Sequence, residues 1–130
     1  MHIVMPIHKN KRAHEHSTEP KKSQGVYVIS NSINMKNNKY KIGVFSGSEL
    51  SILLNRYRPA LIDPELMFYM DIGDIVNARH IKKQILSKFG EERIINDNGN
   101  MSEWIQIDFH ILRANIVSII NDHYTRDDNE

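Results

Sequence analysis

Apolar and polar positions alternate along the chain in segments that predict strands. Two segments rich in β-branched and aromatic residues are GVYVISN, from Gly25, and KYKIGVF, from Lys39. Between them lies the polar, asparagine-rich stretch SINMKNN. A third segment, ELMFYMDI from Glu65, is apolar enough for an inner strand of a sheet. These patterns predict a hairpin with a long loop, followed by a third strand.

Apolar residues at helical spacing predict a first helix after the second strand. Its start is indicated by SGSEL, where Ser46 and Glu49 fit a capping box and Ser48 is a competing cap. Pro59 ends the pattern, because proline cannot continue a helix. The predicted apolar face consists of Leu50, Leu53, Leu54 and Tyr57.

Two further helices are predicted in the second half of the chain. One is capped by Asp74 and ends at Gly90, and the last is capped by Asp108. Between them, ERII and SEWIQI predict extended pieces on either side of the turn signal NDNGN. The order β-β-α-β-α-(β)-α predicts an α+β domain, with a small, mainly antiparallel, three-stranded central sheet flanked by helices.

Lys82 lies inside the apolar stripe of the second predicted helix. At about 100° per residue, one side of this helix collects apolar residues. They are Ile75, Ala78, Ile85, Leu86 and Phe89. Lys82 falls within their arc, so it either lies at the edge of the core with its stem packed or points into a pocket. The stretch from Ile75 to Phe89 contains no acidic residue.

Composition adds a domain division and excludes some kinds of site. Residues 1–24 are predicted to be a flexible, basic, histidine-containing arm, residues 25–125 a folded domain, and residues 126–130 a polar tail. The arm either contacts nucleic-acid phosphate or is a solubilising tail; its His14-Glu15-His16 triplet is a weak metal signal. The net charge of +1 indicates little about partners. Because the chain has no cysteine, disulfides and thiolate metal sites are excluded.

No apolar run approaches the roughly 20 residues that span a bilayer. The N-terminal MHIVMPIH is too short for the core of a signal peptide. The sequence therefore predicts a soluble, intracellular protein with no membrane partner. It does not indicate the oligomeric state.

Five short motifs occur in a particular order in residues 25–107. They are G-V-Y ending at Tyr27, K-I-G beginning at Lys41, R-Y beginning at Arg56, the second predicted helix with Lys82 in its apolar stripe, and S-E-W ending at Trp104. Taken together they resemble the GIY-YIG nuclease superfamily, specifically the branch with a K-I-G second signature that is common in phages and large DNA viruses. If the chain is viral, the resemblance implies a host-cell location, in the cytoplasm or the nucleus.

The resemblance implies a site for phosphodiester cleavage that depends on Mg²⁺ or Mn²⁺. Tyr27 would position or activate the attacking water, Lys41 would lie beside it, and Arg56 would stabilise phosphate charge. A glutamate of the later helix would hold the metal. Counting back from Phe89, that position is occupied by Lys82. A protonated lysine cannot ligate Mg²⁺ but can attract a phosphate.

The candidate nucleic-acid contacts are Tyr40, Arg56, Arg58, Lys82 and Lys83. Glu103 is the candidate for a displaced metal ligand, with a salt bridge as the more ordinary role. Trp104 is expected in the core, with base stacking as a lesser option.

Three functions follow from these residues. The favoured one is a protein that binds nucleic acid, with DNA expected, on a GIY-YIG-like scaffold whose cleavage is impaired or lost. The alternatives are an active endonuclease that holds its metal through another carboxylate, and a protein-interaction or structural domain that retains only the fold.

Overall fold

A computed structural model describes residues 4–6 and 22–128 of the chain, with the side chains of residues 22–125. Strands and helices alternate along the described part. The strands are β1 (Val4–Pro6), β2 (Ser23–Ser30), β3 (Lys39–Gly47), β4 (Glu65–Asp71), β5 (Arg93–Ile95) and β6 (Met101–Gln106). The helices are α1 (Ser32–Lys36), α2 (Leu50–Tyr57), α3 (Ile75–Lys88) and α4 (Phe109–Asp128), with a 3-10 turn at Gly90–Glu92.

The six strands form one sheet in the order β1-β4-β2-β3-β6-β5. All neighbours pair antiparallel except β1, which is parallel to β4. The predicted α+β class with flanking helices is therefore confirmed. The predicted strand number of three is wrong, because β1, β6 and β5 extend the sheet on both sides of β4-β2-β3. β5 and β6 overlap the segments ERII and SEWIQI that were predicted to be extended, but their pairing with the sheet was not predicted. β1 has only three residues, too few to show a periodic pattern.

The two faces of the sheet carry separate cores, as the alternation of side chains along a strand requires. The large core lies between the sheet and helices α3 and α4 and includes Ala78, Ile81, Ile85, Leu112 and Ile116. The small core lies beneath α2 on the opposite face and consists of Tyr27, Ile29, Phe45, Leu53, Leu66 and Tyr69. Leu50, Leu54 and Tyr57 pack against the small core, so the predicted apolar face of α2 is confirmed.

Two local predictions around β3 are wrong. Ser46 does not cap α2, because it pairs with Gln24 in the β2–β3 ladder; the N-cap residue is Glu49, without a side-chain capping bond. The predicted loop between β2 and β3 contains the short helix α1. Its N-cap is Asn31, whose side-chain oxygen accepts the backbone N–H of Asn34 at 3.0 Å.

The caps of the two long helices are as predicted. Asp74 accepts the backbone N–H of Val76 at 2.7 Å, and Asp108 accepts that of His110 at 2.9 Å. Helix α3 ends at Lys88, two residues before the predicted stop at Gly90. Helix α4 continues to Asp128, so the segment predicted as a polar tail from residue 126 begins within a helix.

The sheet also begins before the predicted domain boundary at Gly25. Ser23 and Gln24 already pair with β3, and residues 4–6 pair with β4. Residues 1–3 and 7–21 of the predicted arm, including the His14-Glu15-His16 triplet, lie outside the described residues. In the described part of the chain, no helix has the length and apolarity needed to cross a membrane.

Candidate nucleic-acid interface

Tyr27 and Gly43, one from each of the two signature motifs, lie directly opposite each other in the β2–β3 ladder. The ring of Tyr27 covers Gly43 so closely that a Cβ atom at residue 43 would overlap the phenolic end of the ring. The glycine of K-I-G is therefore required for the position of the tyrosine of G-V-Y. This contact gives both motifs a common physical basis.

The hydroxyl of Tyr27 forms a hydrogen bond with the hydroxyl of Tyr57 on α2. The two rings meet edge to face, with centroids 6.1 Å apart. Burial raises the pKa of Tyr27 far above its ordinary value, and the contact with Tyr57 adds to the increase. Burial also raises the pKa of Tyr57. Both phenols are therefore protonated at neutral pH, so they are hydrogen-bond donors rather than bases.

Tyr57 is a site residue that the sequence prediction assigned only to packing. Its ring does pack against the small core, while its hydroxyl reaches Tyr27. The signal was available in the R-Y pair, since Tyr57 directly follows Arg56.

Lys41 joins this tyrosine pair from β3. Its ammonium lies 5.9 Å from the centroid of the Tyr57 ring and 3.6 Å from Oε1 of Glu103. The ladder between β3 and β6 ends where Lys41 pairs with Trp104. Glu103 is the first β6 residue beyond this last pair, so it lies where the two strands separate. We call this point the fork between β3 and β6.

Lys82 reaches the same place from helix α3. Its ammonium forms an ion pair with Oε2 of Glu103. The side chain of Lys82 is 22% exposed and that of Glu103 is 39% exposed, so the pair is only partly screened by solvent. Glu103 thus stands between two lysines that come from different elements of the fold.

The pKa of the Glu103 carboxyl is lowered, although partial burial acts in the opposite direction and raises it. The hydrogen bond and charge of Lys82, followed by those of Lys41, outweigh the burial. At neutral pH this group is therefore a carboxylate with one ammonium at each oxygen.

A divalent cation does not fit these residues. Mg²⁺ and Mn²⁺ need several oxygen ligands, and within residues 22–125 no three His, Cys, Asp or Glu side chains are grouped to hold a metal. Glu103 is a single carboxylate, and both of its oxygens face ammonium groups. The role of displaced metal ligand therefore has no support in the geometry.

Arg56 lies on the exposed side of α2, with its guanidinium carbon 5.6 Å from the centroid of the Phe45 ring. Its positive charge lowers the pKa of Tyr27, although less than burial and Tyr57 raise it. Arg56, Lys41 and Lys82 thus place three cations around the Tyr27–Tyr57 pair and Glu103. Stacking on Phe45 leaves the guanidinium N–H groups of Arg56 available to an anion.

Tyr40, predicted as a nucleic-acid contact, does not lie on this surface. It is 4% exposed and packs in the large core, with its ring centroid 5.1 Å from that of Phe109. As the strand alternates, Tyr40 and its neighbour Lys41 point to opposite faces of the sheet. Two residues that are adjacent in the sequence of a strand therefore lie on different faces of the sheet.

The other candidates lie at the margins. Arg58 is exposed beyond the end of α2 and donates to Oδ1 of Asn55 at 2.8 Å. Lys83 is exposed on α3, next to Lys82. Trp104 is partly exposed and belongs to neither core, so the expectation of a core tryptophan is wrong.

Two proteins of Acanthamoeba polyphaga mimivirus are similar to the chain. "Uncharacterized protein R10" is 34% identical over 95 residues, which are 73% of this chain and 24% of that protein. "Uncharacterized protein R9" is 30% identical over 95 residues, with the same shares. The chain spans about a quarter of the length of these relatives. No protein-family profile and no solved structure matches. The expectation of viral relatives is confirmed.

Proposed function

We propose that the protein binds DNA through its phosphates, on a GIY-YIG-like scaffold that has lost metal-dependent cleavage. The observation that carries the proposal is the ion pair of Lys82 with Glu103. An ammonium group stands where the family resemblance calls for a metal-binding glutamate. Its charge repels a divalent cation and attracts a phosphate.

The charge balance of the site supports an anionic ligand. Lys41 and Lys82 face one carboxylate, Arg56 acts on the Tyr27–Tyr57 pair, and these tyrosines add neutral hydroxyl donors. A cation about 4 Å from a phosphate gains roughly 4 kcal/mol before desolvation, at an effective dielectric constant near 20. Arginine adds directional N–H groups that match phosphate oxygens.

Glu103 holds the two lysines in place of a ligand. Its carboxylate neutralises part of their charge in the free protein and keeps both ammonium groups pointing to the fork between β3 and β6. A phosphodiester has the same charge sign and accepts the same hydrogen bonds. Binding therefore exchanges Glu103 for a phosphate oxygen at one or both lysines.

The test is DNA binding measured by fluorescence anisotropy over a range of NaCl concentrations. We expect affinity to fall as the NaCl concentration rises. Arg56→Ala should weaken binding and make the slope of log binding constant against log NaCl concentration (the log–log salt slope) shallower by about 1, the value for one phosphate contact. Lys36→Ala removes an exposed cation from α1, outside the site, and is the matched control. Binding that is unaffected by Arg56→Ala would contradict the site.

The loss of cleavage is tested separately. With Mg²⁺ or Mn²⁺, the wild-type protein should leave supercoiled plasmid intact. Metal-dependent nicking by protein purified to homogeneity, absent in Arg56→Ala, would support the active endonuclease instead.

A further inference from the structure

A groove runs between strand β3 and helix α3, next to the phosphate-binding site. It is lined by Val44, Arg79, Lys82, Lys83 and Leu86. Val44 and Leu86 form an apolar floor, because both side chains pack at the margin of the large core. Arg79 and Lys83 are exposed and lie four residues apart on α3, so they are neighbours on one side of the helix. We call this feature the β3–α3 groove.

The β3–α3 groove carries three cationic side chains, Arg79, Lys82 and Lys83. Helix α3 has no acidic residue between Ile75 and Lys88. Within the described part of the chain, the carboxylate that pairs with a groove residue is Glu103, which binds Lys82, and no salt bridge joins Arg79 or Lys83 to an acid. Two cations at the rim are therefore available to an external anion.

The groove is also open at its β3 side. Strand β6 pairs with β3 over Lys39–Lys41 and then separates from it. In the described residues, β3 has no strand partner on that side from Ile42 onward. Lys82 connects the two regions, since it lines the groove and also binds Glu103 at the fork.

We infer that the β3–α3 groove binds a segment of single-stranded DNA that continues from the phosphate-binding site. The inference rests on the proposed function. Arg79 and Lys83 contact successive phosphates at the rim, while sugars or bases cover Val44 and Leu86. A positively charged groove that follows the backbone is typical of proteins that bind one unpaired strand, and such a strand exposes sugars and bases that can cover an apolar floor.

A single strand fits better than a duplex because its sugars and bases are exposed and can cover an apolar floor. The groove is lined by residues of two elements, α3 and β3. The partly exposed Trp104 pairs with Lys41 in the ladder, so it lies on the Lys41 face of the sheet, opposite the face of Val44, and offers an aromatic face to an unpaired base at the phosphate-binding site. A duplex keeps its bases stacked and could use neither the floor nor the tryptophan.

The experiment compares the wild-type protein with the double variant Arg79→Gln/Lys83→Gln and with the control Lys36→Gln. The probes are a labelled single-stranded DNA of about 16 nucleotides, the upper end of common site sizes, its duplex, and a 5′-phosphorylated dinucleotide. The double variant should bind the long single strand roughly tenfold more weakly, and its log–log salt slope should fall by about 1.4, or 0.7 for each lost contact. The dinucleotide, which fills only the phosphate-binding site, should bind equally well to all three proteins.

Three results would overturn the inference while leaving the proposed function intact. One is a double variant that binds the long strand as tightly as Lys36→Gln does. Another is a double variant that loses dinucleotide binding to the same extent as long-strand binding. The third is preference of the wild-type protein for the duplex over the single strand in competition. If the wild-type protein binds none of the probes at low salt, the proposed function itself fails.

Discussion

The ammonium of Lys82 on helix α3 and the carboxylate of Glu103 on strand β6 form an ion pair at the point where β6 separates from β3. Lys41 approaches the other oxygen of the same carboxylate at 3.6 Å. The arrangement brings together Lys41, Lys82 and Glu103, which are far apart in the chain. Of the two hypotheses for Lys82, it favours the one in which the side chain points into a site rather than only along the core.

Lys82→Glu should create a site that binds divalent cations. The substitution places a second carboxylate beside Glu103, and the repulsion between them should lower stability by about 1 kcal/mol without metal. Mg²⁺ or Mn²⁺ should restore the loss, because it neutralises both groups. Thermal unfolding with and without metal measures the effect, and a plasmid-nicking assay shows whether cleavage accompanies it.

Lys82→Met is the matched control for this variant, because it keeps the aliphatic stem and removes the charge. Its unfolding temperature should not respond to Mg²⁺ or Mn²⁺. If Lys82→Glu is equally unresponsive, residues 82 and 103 do not form a metal-binding pair.

Glu103→Gln should increase affinity for DNA by about three- to tenfold. The substitution removes the internal anion that competes with phosphate for Lys41 and Lys82, and the amide is nearly the same size. Fluorescence anisotropy at constant salt measures the change. If Glu103 were instead a metal ligand for an active nuclease, the same substitution would leave metal-free binding unchanged and abolish metal-dependent cleavage.

The contribution of Glu103 to stability should depend on pH. Partial burial raises the pKa of Glu103, but Lys82 and Lys41 lower it more, so the net folded value is below the ordinary one. The unfolded chain then binds protons more readily, and the stabilisation is complete above the ordinary carboxyl pKa. It declines as the pH falls towards the lowered pKa and is absent below it.

This pH dependence is measured by urea unfolding of the wild-type protein and Glu103→Gln, from neutral pH to about pH 3. Because the carboxylate is 39% exposed, the difference at neutral pH should be under about 1 kcal/mol. It should shrink towards zero in acid. A difference that grows in acid would show that the folded pKa of Glu103 is raised.

Gly43→Ala should destabilise the fold by about 1–3 kcal/mol, because the new methyl group overlaps the ring of Tyr27. In a Tyr27→Ala background the same change should cost much less, since the overlapping ring is absent. Chemical denaturation of the four proteins of this cycle gives the coupling energy between the two positions.

Gly90→Ala is the control for that cycle. A Cβ atom at residue 90 would have no neighbour within 4 Å, and its backbone does not have a positive φ. Its effect should be within about 0.5 kcal/mol. If Gly43→Ala is equally mild, the Tyr27 ring moves away from residue 43 without cost.

Much of the local structure was predictable from sequence because its causes are local. Asp74 and Asp108 cap their helices with their own side chains, so the residues around them are sufficient for the prediction. The failure at Ser46 has a tertiary cause. Ser46 satisfies the capping pattern, but it pairs with Gln24 and so remains in strand β3. A local sequence pattern does not detect this pairing.

The candidate site was predictable in part, for a related reason. Lys41 and Lys82 meet at Glu103, and Lys41 and Arg56 both lie near Tyr57, so the motif order pointed to residues of one region. Tyr40 was misplaced because a strand turns adjacent side chains to opposite faces. The sequence indicated a packing role for Tyr57 and a salt bridge for Glu103. It did not identify their partners, Tyr27 and Lys82, because these are distant in the chain.

The sequence by itself determined the order of the main elements, the N-caps of the long helices, and the position of a lysine in an otherwise apolar stripe. These depend on side-chain periodicity and on caps within a few residues. The tertiary structure decided the six-stranded sheet, the tyrosine pair and the carboxylate between two lysines. Such features require register between strands and the approach of helices to the sheet, which depend on packing across the whole domain rather than on any one segment.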